Sequence, residues 1–169
     1  MIAPVPKQRI ARSAIALLAA LALVVPAAPA AAQGVGEDYD RQFLVEADFA
    51  GQDLREVSFI KANLRNSDFS GADLMGANLF AANLEGANLE GANLRLATLD
   101  SARMSYTNLK NAILEETFAA NTNFDGATIE GADFTDALLS PDTRLQLCQH
   151  AQGTNPQTGR ATRETLRCR

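Results

Sequence analysis

The sequence predicts an all-β solenoid: a chain that turns a corner every five residues around one filled axis. Three observations carry this. Stepping by five through Leu84 gives Leu44, Phe49, Leu54, Phe59, Leu64, Phe69, Leu74, Leu79, Leu84, Leu89, Leu94, Leu99, Met104, Leu109, Leu114, Ala119, Phe124, Ile129, Phe134 and Leu139, and 19 of these 20 positions hold a large apolar residue. Two places before most of them stands a small residue, usually Ala, as at Ala72, Ala77, Ala82, Ala87, Ala92 and Ala97. The remaining places are rich in Asn, Asp and Gly, which tolerate turn geometry and bond their own backbone. No ordinary period serves this spacing. Steps of five smear the leucines around a helix, and on a strand they fall alternately on opposite faces. A chain with a corner every five residues points them all inward, with the small residue beside each.

Composition agrees. Aromatic residues make up 6% of the 169-residue chain and Trp is absent, so burial rests on small and medium apolar side chains. The length suits one domain.

The elements follow in order. Residues 1–32 read as a secretory signal. Lys7, Arg9 and Arg12 make a basic start, Ile15–Val25 is an apolar run of 11 residues, and Ala30-Ala31-Ala32 supplies small residues for cleavage before Gln33. The run is too short for a membrane span, so no stable anchor is expected after cleavage. Residues 33–41 are a lead-in, 42–141 the repeat body and 142–169 a C-terminal cap. After residue 32 the chain carries 20 acidic and 12 basic residues, a net −8. Residues 33–141 carry −11 and residues 142–169 carry +3. An acidic body with a basic end argues against general nucleic-acid binding and suits a tail that docks on the rod.

The A(D/N)LXX phrase, clearest in ANLEGANLEGANL from Ala82 to Leu94, resembles the pentapeptide-repeat family. The resemblance implies a right-handed quadrilateral β-helix with four pentapeptides per coil, hence five coils and a rod of roughly 24 Å at a strand spacing of about 4.8 Å. Residues 20 apart then stack in columns. Phenylalanines gather at the two ends of the interior columns. Ala119 is the undersized member, so Phe118 is expected either to swing inward or to lie outside under the tail.

Ser140-Pro141-Asp142 is a helix start: N-cap, proline in the first turn and an early carboxylate. The loop Gly153–Gly159 (GTNPQTG) follows, and 162–168 reads as a second short helix. The two cysteines of the chain, Cys148 and Cys168, both lie here. In an exported chain they read as a disulfide, with a metal site or a redox pair as alternatives. The tail also resembles the C-terminal extension of thylakoid-lumen pentapeptide proteins of cyanobacteria and plants. That implies two short helices, a disulfide, and export to a thylakoid lumen or periplasm.

Candidate chemistry is thin. His150 is the only histidine and nothing in the repeat sets a nucleophile and carboxylate around it. Glu115-Glu116 and the Asp48/Asp68 and Asp53/Asp73 columns read as solvated faces. Gly86 and Gly91 lack the Lys-Ser/Thr of a phosphate loop and are corner residues. No enzyme, cofactor or metal is expected. What remains is surface. Ile60 and Phe80 stack in one outward column beside Met75 and Leu96, with Arg55 and Arg95 flanking Met75, and these six form a candidate partner surface. Ile113, Phe118 and Leu138 form a second outward apolar group, expected under the docked tail. The leading functional expectation is an exported, monomeric, non-catalytic scaffold that binds a protein. The alternative is an acidic DNA mimic that binds DNA gyrase, in the manner the resemblance allows.

Overall fold

The computed structural model describes residues 38–169; the expected signal segment lies outside the described residues. The ladder is parallel, and each bridge joins a residue to the one 20 positions later: Asp48 to Asp68, Asp68 to Asn88, Asn88 to Asn108, Asn108 to Thr128. Four five-residue sides therefore make one coil. Among the described residues the register is already present at Asp38, paired with Ser58, inside the stretch expected as a lead-in. The bonds run both ways between coils: Leu84 N–H donates to the Arg103 carbonyl at 2.8 Å, and Asn83 N–H donates to the Ala62 carbonyl at 2.9 Å. Only where two successive residues pair do strands form, β1 (Phe118–Ala119) and β2 (Leu138–Leu139).

Most corners repeat one local solution. In the side centred on Leu84, Ala87 N–H donates to the Leu84 carbonyl at 2.9 Å, closing a β-turn whose third residue, Gly86, has φ +69°. Non-glycine residues take this left-handed position too, among them Glu56, Lys61, Ala81, Leu96, Tyr106 and Glu116. None of the non-glycine residues with positive φ is β-branched, consistent with the steric penalty such residues meet there. Where Asn or Asp precedes the central residue it closes the other half of the corner: Asp68 Oδ1 accepts the Ser70 N–H at 2.9 Å and Asn83 Oδ1 the Glu85 N–H at 3.2 Å.

Inside, the central leucines and phenylalanines and the alanines two places earlier are buried in one cluster. Where a hydroxyl replaces that alanine at Thr107 and Thr117 it satisfies itself locally: Thr107 Oγ1 donates to the Met104 carbonyl at 2.7 Å and Thr117 Oγ1 to the Leu114 carbonyl at 2.9 Å. Rings close the N-terminal end of the described core. Tyr39 stacks on Phe59 at 5.1 Å and Phe49 on Phe69 at 4.8 Å. Phe124 meets Phe134 edge-on at 6.3 Å near the other end.

The corner after Ala119 differs. Thr122 Oγ1 donates to the Leu99 carbonyl at 2.7 Å, and Asp100 Oδ1 accepts the Asn121 N–H at 3.0 Å. Phe118 stays outside, 53% exposed, so it does not fill the space beside Ala119.

Two helices follow the last coil. Ser140 caps α1 (Pro141–Cys148), its hydroxyl accepting the Thr143 N–H at 3.1 Å. The second helix, α2 (Thr162–Thr165), is a single turn. Cys148 and Cys168 are joined by a disulfide, and Leu147, Ala151 and Leu166 add their side chains to the core cluster. Among the described residues no helix is long and apolar enough to cross a membrane.

One fixed cross-section predicts an asymmetry between neighbouring positions. Leu84→Ala should destabilise by about 2–5 kcal/mol through a cavity. Ala87→Leu should cost about 1–3 kcal/mol through overpacking. Denaturant unfolding of both variants checks the pair.

Candidate functional site

The residues that depart from the repeat gather in two places: the docked C-terminal segment and one uncovered side of the rod. The segment is held by a short loop. Thr154 and Ala161 pair antiparallel, and Asn155 N–H donates to the Arg160 carbonyl at 2.9 Å. This closure brings both side chains to the rod.

Asn155 is buried. Its Oδ1 accepts the N–H groups of Gln157 and Thr158 at 2.9 and 3.1 Å, which fixes the loop. Its Nδ2 donates to the carbonyls of Asn111, Ala112 and Gly131 at 3.0, 3.3 and 2.9 Å. Gly131 N–H returns a bond to the Gln152 carbonyl at 2.9 Å. The approach is close enough to require glycine on both sides: a Cβ on Gly153 (φ +80°) would lie 2.9 Å from Gly131 N, and one on Gly131 (φ +70°) would strike the Asn111 side chain.

Arg160 binds two carboxylates. Nε donates to Asp133 Oδ2 at 2.7 Å, and Nη2 to Glu115 Oε2 at 2.9 Å. Glu115 also takes Arg95 Nε at 2.8 Å, so Arg95, Glu115, Arg160 and Asp133 form one chain of ion pairs. Hydrogen bonds from Arg95 and Arg160 hold the Glu115 carboxyl below its usual range. Burial pushes the Asp133 carboxyl up, but hydrogen bonds from Thr135, Thr158 and Arg160 outweigh it and leave it lowered. The same two carboxylates raise the Arg160 guanidinium. Further out, Arg167 pairs with Asp136 at 2.7 Å, Thr165 Oγ1 accepts the Phe134 N–H at 3.1 Å, and Gln146 reaches Asp125 at 2.8 Å.

Two expectations need correction. The tail was expected over Ile113, Phe118 and Leu138 together. Ile113, next to the carbonyls that Asn155 takes, is 1% exposed, but Phe118 and Leu138 remain 53% and 55% exposed. The reason is direction: the side-chain anchors of the loop and α2 fall at 111–115 and 131–136, on other sides of the coil. The Glu115-Glu116 pair is also not a uniformly solvated face, since Glu115 is clamped between two arginines while Glu116 is exposed.

The other candidate surface divides likewise. Arg55 grips Asp53 with two bonds, of 2.9 and 2.8 Å, and lies 3.7 Å from Asp73. With Arg95 turned to Glu115, both arginines beside Met75 are engaged within the rod. Met75 and Ile60 are half-buried, whereas Phe80 and Leu96 are 38% and 52% exposed. The Asp48/Asp68 and Asp53/Asp73 columns accept backbone N–H groups within their own corners. His150 is exposed just beyond α1, and among the described residues no group of His, Cys, Asp and Glu could hold a metal ion. A cavity of about 160 Å³ lies between the last coil and the helices, lined by Phe134, Ala137, Leu138, Leu139, Arg144 and Leu166 among others.

Asn155, Arg160, Glu115 and Asp133 were not legible as a site from the repeat. The signal available was the opposition of a +3 tail to a −11 body.

Loss of Arg160 leaves Asp133 buried beside a missing cation, so Arg160→Ala should destabilise by about 2–3 kcal/mol. Because both carboxyls titrate lower when docked, this stabilisation is complete at neutral pH. It is lost as pH falls below the ordinary carboxylate range of about 4 through the lowered values. Protection factors for the Gly131 and Thr162 amides, taken relative to intrinsic exchange at each pH, should fall at low pH in the native chain, and Arg160→Met should flatten that dependence. Reducing the Cys148–Cys168 bridge, which closes a span of 20 residues, should remove about 3 kcal/mol, read by thermal unfolding with and without reductant.

The pentapeptide repeats family model matches residues 44–79, 77–115 and 102–140. A crystal structure of a pentapeptide repeat protein from the Arabidopsis thaliana thylakoid lumen is 46% identical, with a TM-score of 0.76 over 77% of this chain and 90% of that one. A pentapeptide repeat protein from Nostoc is 29% identical, with a TM-score of 0.53 over 62% of this chain and 85% of that one. The thylakoid lumenal 15 kDa protein 1 of Arabidopsis thaliana is 56% identical over 48 residues, 28% of this chain. That match spans 21% of the relative's own length.

Proposed function

Because the chain belongs to the pentapeptide-repeat family, we propose that it is an exported, non-catalytic scaffold that presents a rigid rod to a protein partner. The finer architecture in this reading is a right-handed quadrilateral β-helix of five coils, closed at its C-terminus by a disulfide-bonded helical cap. The rod is monomeric, takes no cofactor and does not bind nucleic acid. Its compartment is the thylakoid lumen or, in a bacterium, the periplasm. The observation that carries the reading is the similarity to a thylakoid-lumen protein along nine-tenths of the chain in its crystal structure. A disulfide in the tail supports the same compartment, since such bonds persist under oxidising conditions.

The physical case for binding over catalysis is the interior. Central side chains and their alanine neighbours fill it, and the outward carboxylates bond within their own corners or across coils. Selectivity then has to come from side chains on the sides of the rod, where Arg55, Ile60, Met75, Phe80, Arg95 and Leu96 depart from the small polar pattern.

Crosslinking and affinity capture from the native lumenal or periplasmic fraction test this. A partner recovered with the native chain should be lost with Phe80→Asp or Met75→Glu while circular dichroism stays unchanged. Retention of every partner by both variants excludes this surface. Recovery of the full-length chain in the cytoplasm with reduced cysteines overturns the export reading.

A further inference from the structure

The side of the rod centred on Phe59, Leu79, Leu99, Ala119 and Leu139 carries an outward apolar residue in four of its five coils, and in the third, where its own outward places hold Thr98 and Asp100, the neighbouring corner supplies one. These are Ile60, Phe80, Leu96 at the leading corner, Phe118 and Leu138. Phe118 and Leu138 stand in direct register, and Thr98 continues their column toward Asn78. Apart from half-buried Ile60 all are exposed. At its far end the stripe runs into the cavity beside the helices, where Leu138 is part of the lining.

Spacing selects the shape of an occupant. Coils stack about 4.8 Å apart, so five successive positions span roughly 19 Å. An α-helix rises about 5.4 Å per turn, so a helix laid along the rod axis offers one side-chain row per coil over about 13 residues. An extended strand in the same direction repeats its side chains every 6.7 Å or so and loses register within two coils.

Charge selects its composition. The corner beside the stripe carries exposed Glu56, Glu116 and Asp136, half-buried Asp100 stands in the column of Ile60 and Phe80 and accepts from Asn121, and Arg144 and Arg167 lie near Leu138 at the C-terminal end. Glu116 makes no ion pair among the described residues, and Asp136 is paired only at the surface, with Arg167. Lys61 stands at the N-terminal end. An apolar stripe with an acidic margin complements apolar residues flanked by Lys and Arg. The same margin repels an anionic lipid surface.

We propose that this side docks a basic amphipathic α-helix of a partner protein, lying along the rod axis with its apolar row on Phe80, Leu96, Phe118 and Leu138. This rests on the binding-module reading and gives it a partner chemistry.

The probe is a labelled synthetic peptide of about 14 residues, with leucines at i, i+3, i+4 and i+7 among lysines, titrated into the full chain with its disulfide intact. Two comparison peptides accompany it: one with the same composition but leucines at alternate positions, and one with glutamate for lysine. The helix-patterned lysine peptide should bind. Phe118→Asp and Leu138→Asp should each weaken it about tenfold or more, with the thermal transition unchanged because both side chains are exposed. Glu116→Lys should weaken it without altering any apolar contact. Equal binding of the alternating peptide, unchanged binding in all three variants, or no binding overturns the proposal. A concentration-dependent dimer that Phe118→Asp abolishes also overturns it, since the occupant is then a second copy. If the peptide fails while a native partner is still captured and lost with Met75→Glu, the helix is wrong and the binding module stands. If native capture fails as well, the module reading falls with it.

Discussion

One constraint governs this molecule: a residue and the one 20 positions later must occupy equivalent places in adjacent coils. The backbone ladder enforces the register, and the register makes the interior a set of columns of fixed width. At most sides the leucine or phenylalanine at the centre packs beside a small residue two places earlier, usually alanine. The hydroxyls that replace alanine at Thr107 and Thr117 return their protons to the nearest carbonyl. Hydrophobic burial, hydrogen bonding and corner geometry thus agree along most of the rod, the consistency expected of a repeat whose stability accumulates between neighbours.

A stack built this way has two ends to close, and they are closed by different means. Toward the N-terminus rings are laid over rings, with Tyr39 on Phe59 and Phe49 on Phe69. Toward the C-terminus a disulfide-tied segment brings its own apolar side chains and an ion-paired arginine. The second closure is directional. Asn155 and Arg160 commit the segment to particular sides of the last coils, and that commitment leaves Phe118 and Leu138 uncovered.

The fold was legible in the sequence because it repeats: Leu84 and its relatives at steps of five can share an interior in no other regular backbone. The helix start at Ser140 was equally plain, since N-cap, proline and early carboxylate each carry a local reason. The docked segment was not. Glu115 looks like any outward residue of the repeat, and only the placement of Arg160, 45 residues later, turns it into a clamp. Ile113 gave a partial signal, an apolar residue in a column of Asn and Asp. It showed that something covers that position, but the direction of cover was set by the loop Thr154–Ala161, whose path no periodicity describes. Phe118 and Leu138 were misassigned for the same reason.

The irregular corner from Ala119 to Thr122 bears on how such a chain can change length. Elsewhere an added or deleted residue moves every later leucine out of the interior, so insertions that keep the leucines inside come in multiples of five residues. At this corner the path is already held by side chains, through Thr122 and Asp100, rather than by the repeated turn alone. The count of five is kept from Ala119 to Phe124, but here side-chain bonds reinforce a lengthened turn. The corner separates a near-uniform array from a last coil to which the terminal segment is anchored.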